Sequence, residues 1–376
     1  MNIVVVSPGV SCEETMYGFS YVAEQARALH RLGNKVVMVT ISQQWIKGYR
    51  ITDAVSPEGI EIIRVQCPIV RYTWYFPSVI GFMFALRRIK KVFKIDVIHA
   101  HLTLPTGVVA LISGKLKGIP VVITEHNGPI RDLCSGRISS AAMKYAARKA
   151  DALILVSDHL MEEAKEILQG SDRWHVIPNL FNPEVFHFND RNVRPESVIN
   201  VLFVSRGHDE RKCNRLAIEG FAKAVKVCKL PLRLIVAGPN LENELRPVVQ
   251  NQAIEDLCRF TGSVSSNKLA QLMRSCDFLV VTSDYETFSL VLIEAMASGM
   301  PVITTKCGGP EEIVTSQSGK LIPKGDLSAL AKAISEMANQ INQYDRQSIS
   351  NQTFARYKYD VVIPRIMRVY ETVIGK

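Results

Sequence analysis

The fold is decided by a stretch that begins with Ile-Val-Val-Val at residues 3–6, continues through Tyr-Val-Ala-Glu-Gln-Ala-Arg-Ala-Leu-His-Arg-Leu at 21–32 and ends with Val-Val-Met-Val-Thr-Ile at 36–41. The two outer runs are short, apolar and rich in β-branched residues, as buried parallel strands are. The middle segment places Val22, Ala26 and Leu29 at helical spacing, and Gly33 follows where a helix C-cap is expected. The stretch therefore predicts a strand, a helix and a second, parallel strand.

The same alternation continues along the chain and restarts after its middle. Further strands are predicted at residues 97–100, 121–124, 152–156, 201–204, 232–237, 260–261, 278–282 and 301–304, with helices at 214–227, 269–273 and 291–297. A length of 376 residues exceeds what one hydrophobic core usually organises. The sequence thus predicts an α/β protein of two doubly wound, Rossmann-like domains.

The domain limits follow from local composition. The Asn- and Pro-rich segment from Ile177 to about Glu196 lacks periodicity and is interpreted as a linker. It separates an N-terminal domain, residues 1–180, from a C-terminal domain, residues 197–356. A ligand is expected in a central cleft between them, at the carboxyl ends of the strands.

Composition excludes several classes of protein. The eight cysteines form no C-x-x-C pair, which argues against a zinc or redox site and favours free thiols in a reducing cytoplasm. The N-terminus, Met1 to Gly9, lacks the basic and long apolar regions of a signal peptide. A net charge of +9 is shared by both halves, and no nucleic-acid-binding motif accompanies it, so a nucleic-acid partner is not expected.

Residues 72–94 leave two interpretations open. Aromatic and aliphatic residues from Trp74 to Leu86 pass directly into Arg87, Arg88, Lys90, Lys91 and Lys94. The run is too short to span a bilayer. It is either a core helix with a solvated basic end or an amphipathic helix on an anionic membrane surface. A cytoplasmic location is expected, and the second alternative would make it peripheral on the inner face of the membrane.

The most specific chemical feature is a pair of carboxylates, Glu286 and Glu294, separated by seven residues across a strand-to-helix junction. If residues 286–294 were helical throughout, these carboxylates would lie roughly 12 Å apart along the axis, about the reach of a nucleoside diphosphate sugar. Between them, the amides of Phe288, Ser289 and Leu290 would be free donors at a helix N-terminus, which suits a diphosphate. The alternative is structural, with Glu286 as an N-terminal helix acid and Glu294 in a surface ion pair.

A second feature follows the first strand of the C-terminal domain, where Arg206 and Lys212 lie in one turn. Fixed cations at this point would neutralise a departing diphosphate, which is a large contribution to catalysis. A solvated basic turn is the structural alternative.

Several motifs together make the chain similar to the family 4 retaining glycosyltransferases of the GT-B fold. They are the two glutamates, the Arg206–Lys212 turn, Val236-Ala-Gly238-Pro, Phe260-Thr-Gly262-Ser-Val and Ile177-Pro-Asn179. The resemblance covers nearly the whole chain and implies two Rossmann-like domains that face a central cleft. It also implies a last helix, residues 357–376, that crosses back onto the N-terminal domain.

The resemblance assigns roles to individual residues. Glu286 would face the donor sugar, Glu294 would hold the ribose hydroxyls, and Arg206 and Lys212 would bind the diphosphate. His126 would lie close to the transferred sugar. The implied catalytic set is then His126, Glu286, Arg206 and Lys212. The implied donor-binding set is Arg206, Lys212, Gly238, Ser263, Val264, Glu286, Phe288, Ser289, Leu290 and Glu294.

On the acceptor side, the resemblance points to Tyr17, Gly18, His101 and Asn127. The family's first loop usually carries two adjacent glycines, and Tyr17-Gly18 departs from that pattern, as Ser289 and Cys213 depart from glycines elsewhere. The pair His99 and His101, at spacing two on a strand, is interpreted as projecting to opposite faces, which favours a structural role for both.

No metal or cofactor is expected beyond the donor itself. The chain has no D-x-D motif, and GT-B enzymes generally bind the diphosphate with side-chain cations and helix amides instead. Asp284-x-Glu286 could ligate magnesium in principle, and this remains the minor alternative.

The predicted activity is transfer of a sugar, with retention, from a UDP- or GDP-linked donor to a hydroxyl acceptor, in cell-surface polysaccharide or glycolipid synthesis. The acceptor could be lipid-linked. A sugar-nucleotide epimerase of the same fold and a non-catalytic nucleotide-sugar-binding protein are the alternatives. A nicotinamide-dependent dehydrogenase is disfavoured because the first strand-to-helix turn lacks G-x-G-x-x-G.

Overall fold

The structure is a computed structural model that describes residues 1–8, 20–70, 75–189 and 198–375. The chain divides into two compact units. Unit 1 comprises Met1–Leu180 and Tyr359–Lys376, and unit 2 comprises Phe181–Lys358. Each unit is an α/β body built on its own, mainly parallel sheet, which confirms the predicted fold class.

Unit 1 alternates strands and helices along most of its length. Its elements are β1 (Asn2–Pro8), α1 (Ser20–Arg31), β2 (Lys35–Gln44), β3 (Arg50–Val55), β4 (Glu61–Pro68), α2 (Tyr75–Lys90), β5 (Val97–His101), a helical turn (Thr103–Gly107), α3 (Val108–Lys117), β6 (Val121–Glu125), α4 (Ile130–Leu133), α5 (Arg137–Lys149), β7 (Ala152–Leu155), α6 (Asp158–Leu168) and β8 (Trp174–Val176).

Among the described residues, the sheet of unit 1 has eight strands in the order β3-β4-β2-β1-β5-β6-β7-β8. The pairs are parallel except β3 with β4. The strand–helix–strand unit β1-α1-β2 forms as predicted. Gly33 follows the end of helix α1 with a φ of 80°, a conformation that favours glycine. The strand order reverses between β1 and β5, so the topological switch point lies at their carboxyl ends.

In the described residues, the first regular element of unit 2 is the strand β9 (Ile199–Val204), and all later strands also belong to this unit. Its further elements are a turn (Glu210–Lys212), α7 (Asn214–Val227), β10 (Leu232–Ala237), α8 (Leu241–Asn251), a turn (Glu255–Leu257), β11 (Cys258–Gly262), α9 (Ser266–Ser275), β12 (Phe278–Val281), α10 (Leu290–Ala297), β13 (Val302–Thr305), α11 (Pro310–Ile313), β14 (Gly319–Ile322), α12 (Leu327–Asn339), a turn (Ile341–Gln343) and α13 (Arg346–Tyr357).

The six strands described in unit 2 are all parallel, in the order β11-β10-β9-β12-β13-β14. This is the doubly wound order in which the sheet grows outward in both directions from its first strand. Its switch point lies between β9 and β12. Phe203, Phe221, Phe278 and Ile334 fill the core around these strands.

The final helix, α14 (Tyr359–Ile374), belongs to the core of unit 1. Its buried residues, including Ile366 and Tyr370, cluster with Val22 and Leu29 of α1. The hydroxyl of Tyr359 also donates a hydrogen bond to Glu24. The last sixteen-residue helix is therefore part of the first unit's packing, although the whole of unit 2 precedes it in the chain.

The chain passes from unit 1 to unit 2 between Leu180 and Phe181, within the predicted linker of 177–196. Ile177 and Leu180 are buried in the core of unit 1, and Phe181 stacks edge-on against Phe354 in unit 2 at 5.1 Å. Arg274 donates to the carbonyl of Val185 at 3.2 Å. Asn and Pro interrupt regular structure here, but the apolar residues between them still pack.

Helix α2 resolves part of the ambiguity over 72–94. Phe82, Leu86 and Ile89 are buried on the sheet side of unit 1, as expected of a core helix. The opposite face leaves Phe76 and Phe84 exposed. Within the described parts of the chain, no helix is both long and apolar enough to cross a membrane.

Candidate functional site

The turn after β9 is held by side chains that the sequence analysis did not single out. Asn214 Nδ2 donates to the carbonyl of Arg206 and to Glu244 Oε1, both at 3.0 Å, and Asn214 Oδ1 accepts from Ser205 Oγ at 2.7 Å. Glu244 Oε2 accepts the backbone N–H of His208 at 2.7 Å. The first residues of α7 and α8 therefore fix the backbone of this turn.

Gly238 lets the end of β10 approach this turn. Its φ is 140°, and a Cβ at this position would lie 1.8 Å from the carbonyl oxygen of Ser205. Its N–H donates to the carbonyl of Gly262 at the end of β11, at 2.9 Å. Only glycine fits this position, which gathers the carboxyl ends of three strands.

The turn is joined to the loop after β12 by an ion pair. Lys212 Nζ lies 2.6 Å from Glu286 Oε1, with the two side chains 29% and 12% exposed. The same oxygen accepts from Ser283 Oγ at 2.8 Å. Thr282 Oγ1 donates to the carbonyls of Lys212 and Cys213, at 3.0 and 3.1 Å. The two elements that flank the switch point of unit 2 are thus directly connected.

The loop after β12 is also clamped from its other side. Glu286 pairs with the segment after β13, because its N–H donates to the carbonyl of Cys307 at 3.0 Å and its carbonyl accepts from Gly309 at 2.9 Å. A Cβ on Gly309 would lie 2.5 Å from the Cα of Phe288. Phe288 is 4% exposed and packs edge-on against Tyr357. The loop is therefore rigidly placed.

Helix α10 begins at Leu290, one residue before the predicted start at 291. Glu286 therefore lies in the loop before the helix, so the condition of the 12 Å estimate, a helix from 286 to 294, is not met. In the described structure, the backbone N–H groups of Phe288, Ser289 and Leu290 donate to no protein acceptor. These donors, and the positive end of the helix dipole, suit an anion.

Other charges surround the ion pair. Arg206 and Arg211 lie 3.5 and 3.4 Å from the Asp209 carboxylate, and both guanidinium groups are about half exposed. Burial by itself would raise the pKa of Asp209, but the nearby cations Arg211, Lys212 and Arg206 outweigh it and lower that pKa. Arg206 therefore lies in the predicted turn, paired with Asp209.

A cation that sequence analysis missed lies on the far side of this loop. Lys324, which follows β14, donates to the carbonyl of Asp284 at 3.1 Å. The predicted donor residues Ser263 and Val264 follow β11, at the carboxyl edge of the same sheet, and Glu294 lies within α10. All predicted residues of this half thus follow strands of one sheet on the same edge or lie on the helix that follows β12.

In unit 1, a cluster of histidines occupies the ends of β5 and β6. His99 and His101 share one face of β5, with ring centroids 4.5 Å apart. The interpretation that they project to opposite faces was wrong, because residues two apart on a strand lie on the same face. His101 Nδ1 lies 2.9 Å from His126 Nε2, and the His126 ring stacks on Tyr21 at 4.0 Å.

His99 connects this cluster to the last helix. Its Nδ1 lies 2.6 Å from the Tyr370 hydroxyl and 3.0 Å from Gln25 Nε2, and its Nε2 lies 2.7 Å from Thr124 Oγ1. Burial lowers the pKa of His99 and of His126 to about 3, and it lowers the pKa of His101 well below 6.5. All three imidazoles are therefore neutral at physiological pH.

The loop after β6 is fixed by a buried carboxylate. Glu125 accepts the backbone N–H groups of Thr103, His126 and Asn127 at 2.8 to 3.0 Å. Burial raises the pKa of Glu125, although these hydrogen bonds act in the opposite direction. His126 is 7% exposed and Asn127 is exposed. Tyr17 and Gly18 lie outside the described residues.

The described residues contain no group of three or more His, Cys, Asp or Glu side chains placed to hold a metal ion. The predicted independence from metal stays a prediction.

Comparison with known proteins agrees with this architecture. Residues 20–180 match the model of the glycosyl transferase 4-like domain, and residues 199–340 match that of glycosyl transferases group 1. The chain is 30% identical over 258 residues to phosphatidyl-myo-inositol mannosyltransferase of Mycobacterium leprae, covering 68% of this chain and 67% of that one. It is 26% identical over 298 residues to N-acetyl-alpha-D-glucosaminyl L-malate synthase of Bacillus anthracis, covering 75% and 76%.

Solved structures share the fold at lower identity. Sucrose-phosphate synthase from Thermosynechococcus elongatus superposes with a TM-score of 0.79 at 20% identity, over 100% of both chains. Anabaena HepE, solved with UDP and glucose, superposes with a TM-score of 0.78 at 17% identity, over 99% of this chain and 100% of that one.

Fold and family matches together define a glycosyltransferase of the GT-B fold, as predicted. The chain belongs to the family 4-type glycosyltransferases. The matches do not support the epimerase alternative.

Proposed function

We propose that this glycosyltransferase moves a sugar, with retention of anomeric configuration, from a nucleoside diphosphate sugar to a hydroxyl acceptor in cell-surface polysaccharide or glycolipid synthesis. The observation that carries the donor assignment is the contact between Lys212 and Glu286 beside three unpaired amides. A cation and the N–H groups of a helix N-terminus together form a binding site for a diphosphate.

Each residue of this proposed diphosphate-binding site has its own role. Lys212 and the amides of Phe288, Ser289 and Leu290 hold the diphosphate, and Arg206 adds positive charge. Glu286 accepts hydrogen bonds from hydroxyls of the donor sugar, and Glu294 accepts them from the hydroxyls of the ribose. His126 and Asn127 are assigned to the region of the transferred sugar and the acceptor.

In the proposed reaction, the bond between the anomeric carbon and the diphosphate oxygen breaks, and the acceptor hydroxyl attacks from the same face. The departing diphosphate oxygen accepts the proton of that hydroxyl. Positive charge and N–H donors stabilise the negative charge that develops on the leaving group. No side-chain nucleophile and no bound metal are required.

The proposal covers donors linked to either UDP or GDP. HepE was solved with UDP and with UDP-glucose, and a Mycobacterium tuberculosis relative, 26% identical over 311 residues, is a GDP-mannose-dependent alpha-mannosyltransferase. A screen of UDP- and GDP-sugars by thermal shift, followed by NMR of the product's anomeric centre, tests the assignment. A product of inverted configuration would contradict retention, and undiminished turnover in EDTA is expected.

A lipid-linked acceptor at the cytoplasmic face of a membrane is the second part of the proposal. The side chain of Phe84 packs against Tyr49 at 5.4 Å, and Phe76 and Trp45 are 67% and 87% exposed. Exposed basic residues, including Arg87, follow on the same helix. Aromatic rings beside cations suit an anionic membrane surface, and the relative from M. leprae is named for a phosphatidylinositol acceptor.

Vesicle sedimentation tests this part separately. The wild type should sediment with vesicles of anionic lipid and much less with zwitterionic ones, and the double variant Trp45→Ser, Phe76→Ser should lose most of this binding. Leu116→Ser, at a residue 66% exposed on α3, is the matched control. Equal sedimentation of all three proteins would contradict membrane docking through these aromatic residues.

A further inference from the structure

Ser289 combines two features that protein contacts alone do not explain. Its side chain is 8% exposed, and its hydroxyl oxygen has no hydrogen-bond partner among the residues that the structure describes. Buried hydroxyls normally find a partner, so an orphaned one needs an explanation. Its backbone has φ 89° and ψ 90°, far from the regions that a non-glycine residue favours.

The backbone conformation explains why this serine does not cap its helix. Serine at an N-cap normally adopts an extended backbone and accepts a hydrogen bond from an amide of the first turn. Ser289 occupies the N-cap position of α10, but with a positive φ its side chain accepts no such bond. Both the hydroxyl and the first amides of the helix are thereby left for another group.

The surroundings hold Ser289 in this conformation. Phe288 is buried against Tyr357, and Gly309 packs directly on the Phe288 backbone. Strain that neighbouring contacts maintain is characteristic of binding sites. The geometry is therefore preset, independent of any ligand.

From these observations we infer that the Ser289 hydroxyl donates a hydrogen bond to a phosphate oxygen of the nucleoside diphosphate. The inference rests on the proposed donor site and adds a side-chain contact to the backbone amide already assigned there. A phosphate oxygen fits because a hydroxyl can donate, and the helix amides and Lys212 attract negative charge to the same place.

Two variants separate the hydroxyl from the backbone strain. Ser289→Ala removes the hydroxyl and keeps a side chain at a positive φ, while Ser289→Gly removes the hydroxyl and relieves the strain. Ser298→Ala is the control, since Ser298 is also buried, at the other end of α10, and its hydroxyl donates to the carbonyl of Glu294 at 3.0 Å.

Isothermal titration with UDP, GDP and the two nucleosides gives the readout. Both Ser289 variants should bind the nucleoside diphosphate at least about tenfold more weakly, the size of one hydrogen bond to a charged group. Their affinity for the nucleoside without phosphates should be unchanged, because general damage to the site would weaken both. Ser298→Ala should bind as the wild type does.

Diphosphate binding of wild-type strength in either Ser289 variant would overturn the inference and leave the proposed donor site standing. An equal loss for nucleoside and diphosphate would also overturn it. If the wild type bound neither UDP nor GDP, the proposed donor would itself be wrong and the role of Ser289 would fall with it.

Discussion

Lys212 Nζ and Glu286 Oε1 lie 2.6 Å apart although 74 residues separate them in the chain. The contact forms because β9 and β12 are adjacent strands, so that the turn after one meets the loop after the other. It is a direct side-chain link between a predicted cation and a predicted carboxylate.

Replacing Lys212 with alanine should lower kcat by about a hundredfold or more, since in the proposed reaction this residue supplies a fixed positive charge beside the leaving diphosphate. Initial-rate kinetics with the preferred donor measure this. Arg211→Ala is the matched control, because Arg211 is 57% exposed and pairs with Asp209. Its kcat should change less than threefold, and a comparable loss in both variants would contradict a specific role for Lys212.

Cys213 sits at φ 48° and ψ 45°, where glycine is favoured over other residues. Cys213→Gly should therefore stabilise unit 2 by about 0.5–1 kcal/mol, and Cys213→Val should destabilise it, since a β-branched residue is least tolerated there. Urea denaturation measures both. A glycine variant less stable than the wild type would show that contacts of the thiol outweigh the strain.

Gly238→Ala should disrupt the proposed donor site, because the added Cβ would fall 1.8 Å from the Ser205 carbonyl oxygen. The turn that carries Arg206 must then move, and nucleotide affinity should fall at least tenfold. Gly118→Ala provides the comparison: its φ is 62°, but an added Cβ meets nothing within 4 Å. It should cost about 1 kcal/mol in stability and leave nucleotide binding intact.

Unit 1 should lose stability as the pH falls from 6.5 toward 3. The unfolded chain protonates its histidines near pH 6.5, whereas burial lowers the folded pKa of His99 and His126 to about 3 and that of His101 well below 6.5. Each group contributes a slope of about 1.4 kcal/mol per pH unit between these limits.

The slopes of the three groups have the same sign and add. Glu125, whose pKa burial raises, acts in the opposite direction but is a single group. Denaturant titrations between pH 5 and 7 measure the slope. His208→Asn, at an exposed residue, should leave it unchanged, and a stability independent of pH over this range would contradict neutral buried imidazoles.

Much of the architecture could be predicted because its cause is local. The strand Leu232–Ala237 and the helix Asn214–Val227 were predicted with the bounds that the structure has. Their bounds could be predicted because the apolar pattern within a single segment determines them. The hairpin β3-β4 was missed, as were β8, β14 and α12. Helix α10 starts at Leu290, one residue before the predicted start at 291, and a loop clamped by Cys307 and Gly309 precedes it.

The residues of the candidate site could be predicted from the sequence only in part. Arg206, Lys212, Glu286 and Glu294 were found from their positions after predicted strands and from the resemblance. Asn214, Glu244 and Lys324 were not, because their partners are distant in sequence and no local pattern indicates such contacts. The histidine pair was assigned to opposite faces through a misapplied strand periodicity, which the ring contact corrects.

The sequence by itself determined the alternation of strands and helices, and with it two doubly wound units whose polar residues follow the strands. Hydrophobic periodicity acts over a few residues, so a single chain segment carries that information. Only the tertiary structure decided which side chains meet: the pairing of Lys212 with Glu286, the burial of a histidine cluster in which His99 contacts Tyr370, and the strained, unpaired Ser289. These depend on strand order and close packing between distant segments, which no local pattern encodes.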